Sequence, residues 1–195
     1  MNAQPHKIIL LNGPPGCGKD TAARFLFESG YARKAKFAEP IKRAAKELFN
    51  IDELKFRELE KEGNQAIKDI PLRETMGLTW REALIWVAET TKLKFGNDIF
   101  GRVLAHKLSH TVTGSPATVV SDCGFIDEVK PMIDVFGQDN VVVWKIFRDG
   151  CEFTNDSRSY IECAAETINN KFELDMYKLQ VIRRAKMIID GVQTT

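Results

Sequence analysis

Residues 7–21 read Lys-Ile-Ile-Leu-Leu-Asn-Gly-Pro-Pro-Gly-Cys-Gly-Lys-Asp-Thr. Four consecutive apolar residues, Ile8 to Leu11, predict a strand that is buried on both faces of a sheet. The glycines that follow let the backbone curl so that successive N–H groups point inward, and a helix is predicted directly after them. A strand, a glycine-rich turn and a helix in this order are typical of a loop that binds polyphosphate.

We call residues 13–19 the glycine loop. Gly13, Gly16 and Gly18 are predicted to present backbone N–H groups to phosphate oxygens. Lys19 adds a mobile positive charge for the outer phosphates, and the positive end of the following helix points to the same place. The alternative is an ordinary strand–helix turn that is rich in Gly and Pro.

The two residues after Lys19 depart from the usual pattern, in which a Ser or Thr hydroxyl directly follows the lysine and holds Mg²⁺. Asp20 takes that position here, and Thr21 follows. A carboxylate beside phosphates is unfavourable unless a metal ion or a basic residue compensates it. Asp20 is therefore predicted to meet Mg²⁺ through water or to hold a nearby cation, with Thr21 on an inner phosphate. The alternative is a first-turn acid that only favours the helix dipole.

The composition is that of an ordinary globular protein and excludes several classes. The chain has 195 residues with 44% apolar and 28% charged residues, which suits one domain with a subdomain insertion. A net charge of +1 argues against a nucleic-acid partner. The absence of a long apolar run or a signal peptide predicts a cytoplasmic protein without a membrane anchor. The four cysteines are scattered, so we expect reduced thiols rather than a zinc site or disulfides.

Alternating strand and helix patterns predict the architecture. Strands are predicted at residues 7–12, 34–38, 117–121, 141–147 and 165–168. Helices are predicted at about 18–29, 40–49, 80–94, 97–110, 125–136 and 173–189, and the charged stretch 51–76 is predicted to be helical and exposed. Strands separated by helices imply an α/β fold with three layers and a mainly parallel sheet.

The same pattern predicts the domain organisation. A single domain would consist of a core at 1–38 and 115–195, a helical insertion at 39–114 and a lid-like segment at 148–160. In open parallel sheets the site lies at the carboxyl ends of the strands. The glycine loop and residues 122–128 and 148–158 emerge there. The large insertion favours a homodimer.

Two acidic residues follow the second buried strand. Asp122 comes directly after it, where phosphate-binding folds place an acid that holds Mg²⁺ or its water. The alternative for Asp122 is a helix N-cap. Glu128 lies one helical turn further and is predicted either to face the site or to be a solvated first-turn acid.

Basic residues supply the charge that phosphoryl transfer needs over the migrating group. Lys19, Arg148 at a strand end and Arg158 in the lid-like segment are the candidates. The insertion carries candidates for anchoring a phosphate acceptor, because a guanidinium can bind two phosphate oxygens at once. These candidates are Lys42, Arg43, Arg73 and Arg81, with Trp80 as an adjacent stacking surface. The alternatives are surface ion pairs and, for the tryptophan, a core position.

The chain resembles the deoxynucleoside monophosphate kinases of bacteriophages, within the wider nucleoside monophosphate kinase group. Matching blocks occur in the family's order along nearly the whole chain. They are 16–21, 37–42, 79–84 with 95–98, 119–122 with Phe125 and Glu128, 146–148, and 167–170. The Lys-Asp-Thr ending of the first block is typical of the family.

The resemblance implies a P-loop kinase that uses ATP and Mg²⁺ to phosphorylate deoxynucleoside 5′-monophosphates. It also implies a cytoplasmic location, which would be the host cytoplasm if the protein is viral. It implies that Gly13–Thr21, Cys17 included, bind the ATP phosphates and that Asn169 and Asn170 lie near the donor base. Lys42 and Arg81 fall where the family contacts the monophosphate. Asp122 and Glu128 match its acidic strand-end motif, and Arg148 matches its following arginine.

The sequence also departs from the family. Gly124 stands where the family commonly has Arg, so one positive charge is missing or another residue such as Arg158 supplies it. Ile85, Ala88 and Glu89 replace the usual Gln and Gly-Thr, which predicts a different base selectivity. Two alternatives remain open: a P-loop kinase for another small acceptor, and a nucleotide-binding module without catalytic activity.

Overall fold

The computed structural model describes residues 6–61, 63–64, 66–111, 114–154, 158–163, 165–171 and 173–191. The strands are β1 (Lys7–Asn12), β2 (Ala32–Ala35), β3 (Ala117–Val120), β4 (Val141–Phe147) and β5 (Ala165–Asn169). The helices are α1 (Lys19–Glu28), α2 (Glu39–Leu48), α3 (Glu53–Glu60), α4 (Trp80–Phe95), α5 (Ile99–Ser109), α6 (Ile126–Phe136) and α7 (Leu174–Asp190). Residues 155–157 of the predicted lid-like segment lie outside the described ranges.

The strands form one five-stranded sheet in the order β2-β3-β1-β4-β5, and every neighbouring pair is parallel. In the centre, Ile9 lies opposite Val119 on one side and Val142 on the other. Ile8 to Leu11 are completely buried, as expected for a strand that is covered on both faces. Helices cover both sides of the sheet, so the predicted α/β fold with a parallel sheet is confirmed.

Parallel strands end at the same edge of the sheet, and the predicted site lies at this edge. Asn12 ends β1, Val120 ends β3 and Phe147 ends β4. The glycine loop follows the first of these ends directly. One sheet face packs against α1 and α7, where the rings of Phe25 and Tyr177 meet edge to face with centroids 6.1 Å apart. This packing fixes the start of α1 beside the glycine loop.

The chain divides into two compact units: a sheet unit, Met1–Phe37 with Phe100–Thr195, and a helical unit, Ala38–Ile99. Helix α5 belongs almost entirely to the sheet unit, whereas the sequence placed it in the insertion. Close packing explains the difference, because a Cβ at Gly101 of α5 would lie 2.7 Å from the Glu128 carbonyl oxygen of α6. The helical unit has its own core, in which Leu59, Trp80 and Ala83 are completely buried.

Two predicted boundaries differ from the structure. The second strand was expected at 34–38 but covers Ala32–Ala35, because the Phe37 N–H donates to Asp122 Oδ1 at 2.9 Å instead of continuing the ladder. The stretch 51–76 was expected to be helical, yet among its described residues only α3 and the short 3₁₀ turn Ala66–Asp69 are helical. By contrast, the predicted capping box is confirmed, since Thr79 accepts from the Glu82 N–H at 3.1 Å and Glu82 accepts from the Thr79 N–H. None of the helices in the described part of the chain combines the length and apolarity that crossing a bilayer requires.

Candidate functional site

The conformation of the glycine loop depends on its glycines for different reasons. Gly16 and Gly18 have φ angles of 78° and 107°, in the left-handed region that other residues rarely adopt. A Cβ at Gly18 would also lie 2.6 Å from Asn170 Nδ2. At Gly13, crowding decides, because a Cβ would lie 2.6 Å from the Ile146 carbonyl oxygen. The loop can therefore curl closely against the ends of β4 and β5.

The side chain of Lys19 folds back into the glycine loop. Its ammonium donates to the carbonyl oxygens of Gly13 at 2.6 Å and Pro14 at 2.7 Å. Burial lowers the pKa of Lys19 from its ordinary value. A phosphate oxygen would give this ammonium a charged acceptor, which forms a stronger hydrogen bond than a neutral carbonyl.

A cavity of about 410 Å³ adjoins the glycine loop in the sheet unit. It brings together predicted residues that are far apart in the sequence: Gly16, Gly18, Thr21, Arg148 and Asn170. Arg148 Nη1 donates to the Gly16 carbonyl oxygen at 3.3 Å, and Asn170 Nδ2 donates to the Cys17 carbonyl oxygen at 2.8 Å. Both side chains thus contact the loop backbone and border the same cavity.

Asp20 holds a nearby cation, which was one of its predicted roles. Its Oδ1 accepts from Lys36 Nζ at 3.1 Å and from Ser121 Oγ at 2.8 Å. Burial alone would raise the pKa of Asp20, but the charge of Lys36 and these two hydrogen bonds outweigh it and lower that pKa. A role as a magnesium ligand remains a prediction.

The two acids after β3 contact backbone N–H groups. Asp122 Oδ1 accepts from the Phe37 N–H at 2.9 Å. Glu128 is buried, and its Oε2 accepts from the N–H groups of Gly124 at 3.1 Å and Phe125 at 3.2 Å. Glu128 is therefore an N-terminal capping residue of α6 rather than the solvated acid that was its alternative. That Glu128 also faces the site stays a prediction.

The donor set for a metal ion is small. Within the described ranges, no group of three or more His, Cys, Asp or Glu side chains could hold a metal ion. Mg²⁺ is usually bound by one or two carboxylates together with substrate phosphates. If Asp20 and Asp122 hold Mg²⁺, a bound polyphosphate would have to supply further ligands, and this role stays a prediction.

Arg158 lies against Gly124. A Cβ at Gly124 would overlap the Arg158 side chain, at 2.7 Å from its Cγ and closer still to its Cδ. The positive charge of Arg158 acts on Lys19, where it adds to the effect of burial in lowering the pKa. The structure thus places the third predicted basic residue against Gly124.

Two of the predicted acceptor residues of the helical unit, Lys42 and Arg81, already have acidic partners. Lys42 Nζ pairs with Glu60 Oε2, and Glu60 Oε1 accepts from the Trp80 indole N–H at 2.8 Å. Arg81 Nε pairs with Asp69 Oδ1 at 2.7 Å on the surface. Arg73 is exposed in the turn that precedes α4.

Trp80 differs from its predicted role as a stacking surface. Its side chain has no exposed area, because it packs in the core of the helical unit with the Phe56 ring edge-on at 6.1 Å. No face of the ring is accessible to a base. The alternative, a core tryptophan, is what the structure shows.

Two residues beside the glycine loop were not among the site residues predicted from the sequence. Asn12 is completely buried and donates from Nδ2 to the carbonyl oxygens of Cys123 and Ser159, each at 3.1 Å. The sequence signal that could have identified Asn12 is its position as a polar residue at the end of an apolar strand. The Tyr177 hydroxyl donates to the Gly18 carbonyl oxygen at 3.1 Å, and no local pattern distinguishes it from an ordinary apolar-face residue of α7.

Comparison with known proteins bears on the fold. No protein-family model and no curated protein matches the sequence. Among solved structures, TT1252 from Thermus thermophilus aligns over 97% of this chain and 100% of its own, with 14% identity and a TM-score of 0.52. An unliganded sugar kinase from Janibacter sp. HTCC2649 aligns over 98% of this chain and 100% of its own, with 13% identity and a TM-score of 0.44. The likeness to the Thermus protein supports the α/β architecture, and neither likeness bears on activity.

Proposed function

We propose that this protein is an ATP-dependent kinase that phosphorylates deoxynucleoside 5′-monophosphates to diphosphates. The observation that carries the proposal is the glycine loop, which curls around the Lys19 ammonium beside a cavity of about 410 Å³. This volume lies within the range of small-molecule sites. Loops of this form are typical of proteins that bind nucleotide triphosphates.

The donor nucleotide would bind to the sheet unit. Backbone N–H groups of the glycine loop and the Lys19 ammonium would hold the phosphates, and Thr21 would contact an inner phosphate. Arg148 and Asn170 border the adjoining cavity, where they would contact the rest of the nucleotide. Mg²⁺, held by Asp20 and Asp122 directly or through water, would neutralise charge on the outer phosphates when bound.

The acceptor would bind through basic residues of the helical unit. Lys42, Arg73 and Arg81 supply the charges and hydrogen-bond donors that a phosphate monoester requires. Because such a monoester is largely dianionic near neutral pH, its oxygen can attack the γ-phosphorus without a general base. The bond between the γ-phosphorus and the β–γ bridging oxygen breaks as the new bond forms, and ADP leaves with that electron pair. The chain's residues then act by holding the two phosphates in line and by stabilising negative charge.

The choice of acceptor rests on the sequence blocks that resemble the bacteriophage kinases. A coupled assay with ATP, Mg²⁺ and a panel of acceptors tests it. Activity with deoxynucleoside monophosphates is expected. Activity with gluconate or dephospho-coenzyme A but with no nucleotide would instead indicate a kinase for another acceptor. Ordinary ATP affinity without turnover on any acceptor would indicate a binding module.

A further inference from the structure

One buried side chain connects the start of the glycine loop to two distant segments. Asn12 Nδ2 donates to the carbonyl oxygens of Cys123 and Ser159, each at 3.1 Å, and Asn12 Oδ1 accepts from the Ile161 N–H at 3.0 Å. Cys123 directly precedes Gly124, and Ser159 directly follows Arg158. A single amide group therefore fixes the backbone on both sides of the contact between Gly124 and Arg158.

The missing side chain at Gly124 makes room for Arg158. The φ angle of Gly124 lies outside the left-handed region, so the backbone alone does not require glycine there. A Cβ would lie 2.7 Å from Arg158 Cγ and would also overlap Cδ. Contacts this short do not occur between real side chains. The Gly124 N–H is held by Glu128 Oε2 at 3.1 Å, so the Arg158 side chain, rather than the backbone, would have to move.

The segment that carries Arg158 is anchored to the end of β4. The Tyr160 ring stacks on the Phe147 ring with centroids 4.2 Å apart. The Tyr160 hydroxyl donates to the Ile146 carbonyl oxygen at 3.2 Å. Burial raises the pKa of Tyr160 to about 12, so this hydroxyl remains protonated and able to donate at neutral pH.

We infer that Asn12 and Gly124 are positioning residues, which seat the Arg158 side chain so that its guanidinium contacts the phosphates bound at the glycine loop. This inference rests on the proposed function, because Arg158 would stabilise charge on the transferred phosphoryl group. We call this position of the Arg158 side chain against Gly124 the seat. With glycine at 124, the positive charge comes from residue 158, whose stem occupies the space of a side chain at 124.

Gly124→Ala tests the seat, because it adds one methyl group where the Arg158 stem lies. Gly114→Ala is the matched control, since Gly114 also has an ordinary φ angle and a Cβ there meets open space. We expect Gly124→Ala and Arg158→Ala each to lower kcat by roughly 10- to 100-fold, with little change in the acceptor KM. Arg158→Lys should restore part of kcat, and Gly114→Ala should match the wild type.

A double variant shows whether the glycine acts through the arginine. If the seat is correct, Gly124→Ala has no further effect on kcat in the Arg158→Ala background. The inference is overturned if Gly124→Ala leaves kcat unchanged or lowers it equally in both backgrounds. Thermal unfolding of each variant shows whether a loss of kcat arises from unfolding.

A second readout does not require turnover. Phenylglyoxal modifies accessible guanidinium groups, and mass spectrometry gives the modification rate at Arg158. We expect MgATP and inorganic tripolyphosphate to protect Arg158 at least several-fold in the wild type and in Gly114→Ala, but not in Gly124→Ala. Protection without phosphoryl transfer to any acceptor would refute the proposed function and support the seat. Unprotected Arg158 in the wild type would overturn the inference.

Discussion

The glycine loop and the basic residues of the helical unit, which are the proposed donor and acceptor sites, differ in how their cations are held. In the loop, backbone conformation determines the site: Gly16 and Gly18 have positive φ angles, and the Lys19 ammonium bonds to neutral carbonyl oxygens. In the helical unit, Lys42 and Arg81 are paired with carboxylates. The loop is preformed and its cation contacts weak acceptors, whereas the second set of cations is already neutralised.

This difference indicates how each proposed ligand would bind. A triphosphate at the loop would replace two neutral acceptors of Lys19, which a charged oxygen does favourably. A monophosphate at the helical unit would compete with Asp69 and Glu60, which carry the same sign of charge as the ligand. Binding at the proposed donor site should therefore depend on the backbone conformation of the glycine loop. Binding at the proposed acceptor site should depend on competition between the monophosphate and the carboxylates.

The largest effect is expected from Lys19→Ala, which removes the charge inside the loop. We expect kcat to fall by at least about 10²–10³-fold, because the ammonium stabilises charge that develops during transfer. Lys34→Ala is the control, since Lys34 lies on β2 with its ammonium 5.4 Å from the centre of the Phe27 ring. Steady-state kinetics with both variants would contradict the role of the loop if their kcat values were equal.

Gly18→Ala tests whether the loop is determined by its backbone. It combines a φ angle of 107° with a Cβ that would meet Asn170, whereas Gly30→Ala has a φ angle of 76° and open space around the Cβ. Strain alone costs about 1–2 kcal/mol per residue. We expect Gly18→Ala to lower the free energy of unfolding by roughly 1–3 kcal/mol more than Gly30→Ala. It should also abolish ATP binding in calorimetry. Equal effects of the two changes would show that crowding is unimportant.

Arg81 and Asp69 test competition at the acceptor site. Arg81→Ala should raise the acceptor KM by about 10-fold or more, because a charged hydrogen bond to phosphate is lost. Asp69→Asn should lower that KM by roughly two- to five-fold, because the competing carboxylate is removed. Arg57→Ala is the control, since Arg57 pairs with Glu53 at 2.9 Å on the exposed surface of α3. An unchanged KM in Arg81→Ala would show that the acceptor binds elsewhere.

The smallest effect concerns the ion pair of Asp20 with Lys36. The pKa of Asp20 is lowered in the folded protein. The pair therefore stabilises the folded state above the unfolded-state pKa, about 3.9, and this stabilisation is lost as the pH falls through the folded-state pKa. Because the pair is largely exposed, we expect less than about 1 kcal/mol at pH 7. A double-mutant cycle of Asp20→Asn and Lys36→Gln, measured by denaturation at pH 7 and pH 3, checks this. A coupling energy at pH 3 as large as that at pH 7 would contradict this expectation.

The parts of the molecule that depend on local pattern were predictable from the sequence. The apolar run Ile8–Leu11 predicted a buried central strand, and the Thr79–Glu82 spacing predicted the start of α4. The stretch 51–76 was not predictable, because its high charge suits exposed helices and turns equally well.

The parts that depend on distant contacts could not be read locally. The end of β2 is set by Asp122, 85 residues from Phe37. Arg158 contacts Gly124, and Asn12 bonds to Ser159. These residues are far apart in the sequence and meet at the sheet edge when the chain folds. The ion pairs of Lys42 and Arg81 likewise follow from packing within the helical unit. The sequence named these cations but not their partners.

Transfer of a labelled γ-phosphate from ATP to a deoxynucleoside monophosphate is the decisive measurement for the proposed kinase. The protein would be incubated with Mg²⁺, ATP labelled at the γ-phosphate and each common deoxynucleoside monophosphate, and the products would be separated. We expect label in at least one deoxynucleoside diphosphate with the wild type, and a near-complete loss of this label with Lys19→Ala. Label that stays in ATP, or appears only as inorganic phosphate, with every monophosphate would contradict the proposed activity.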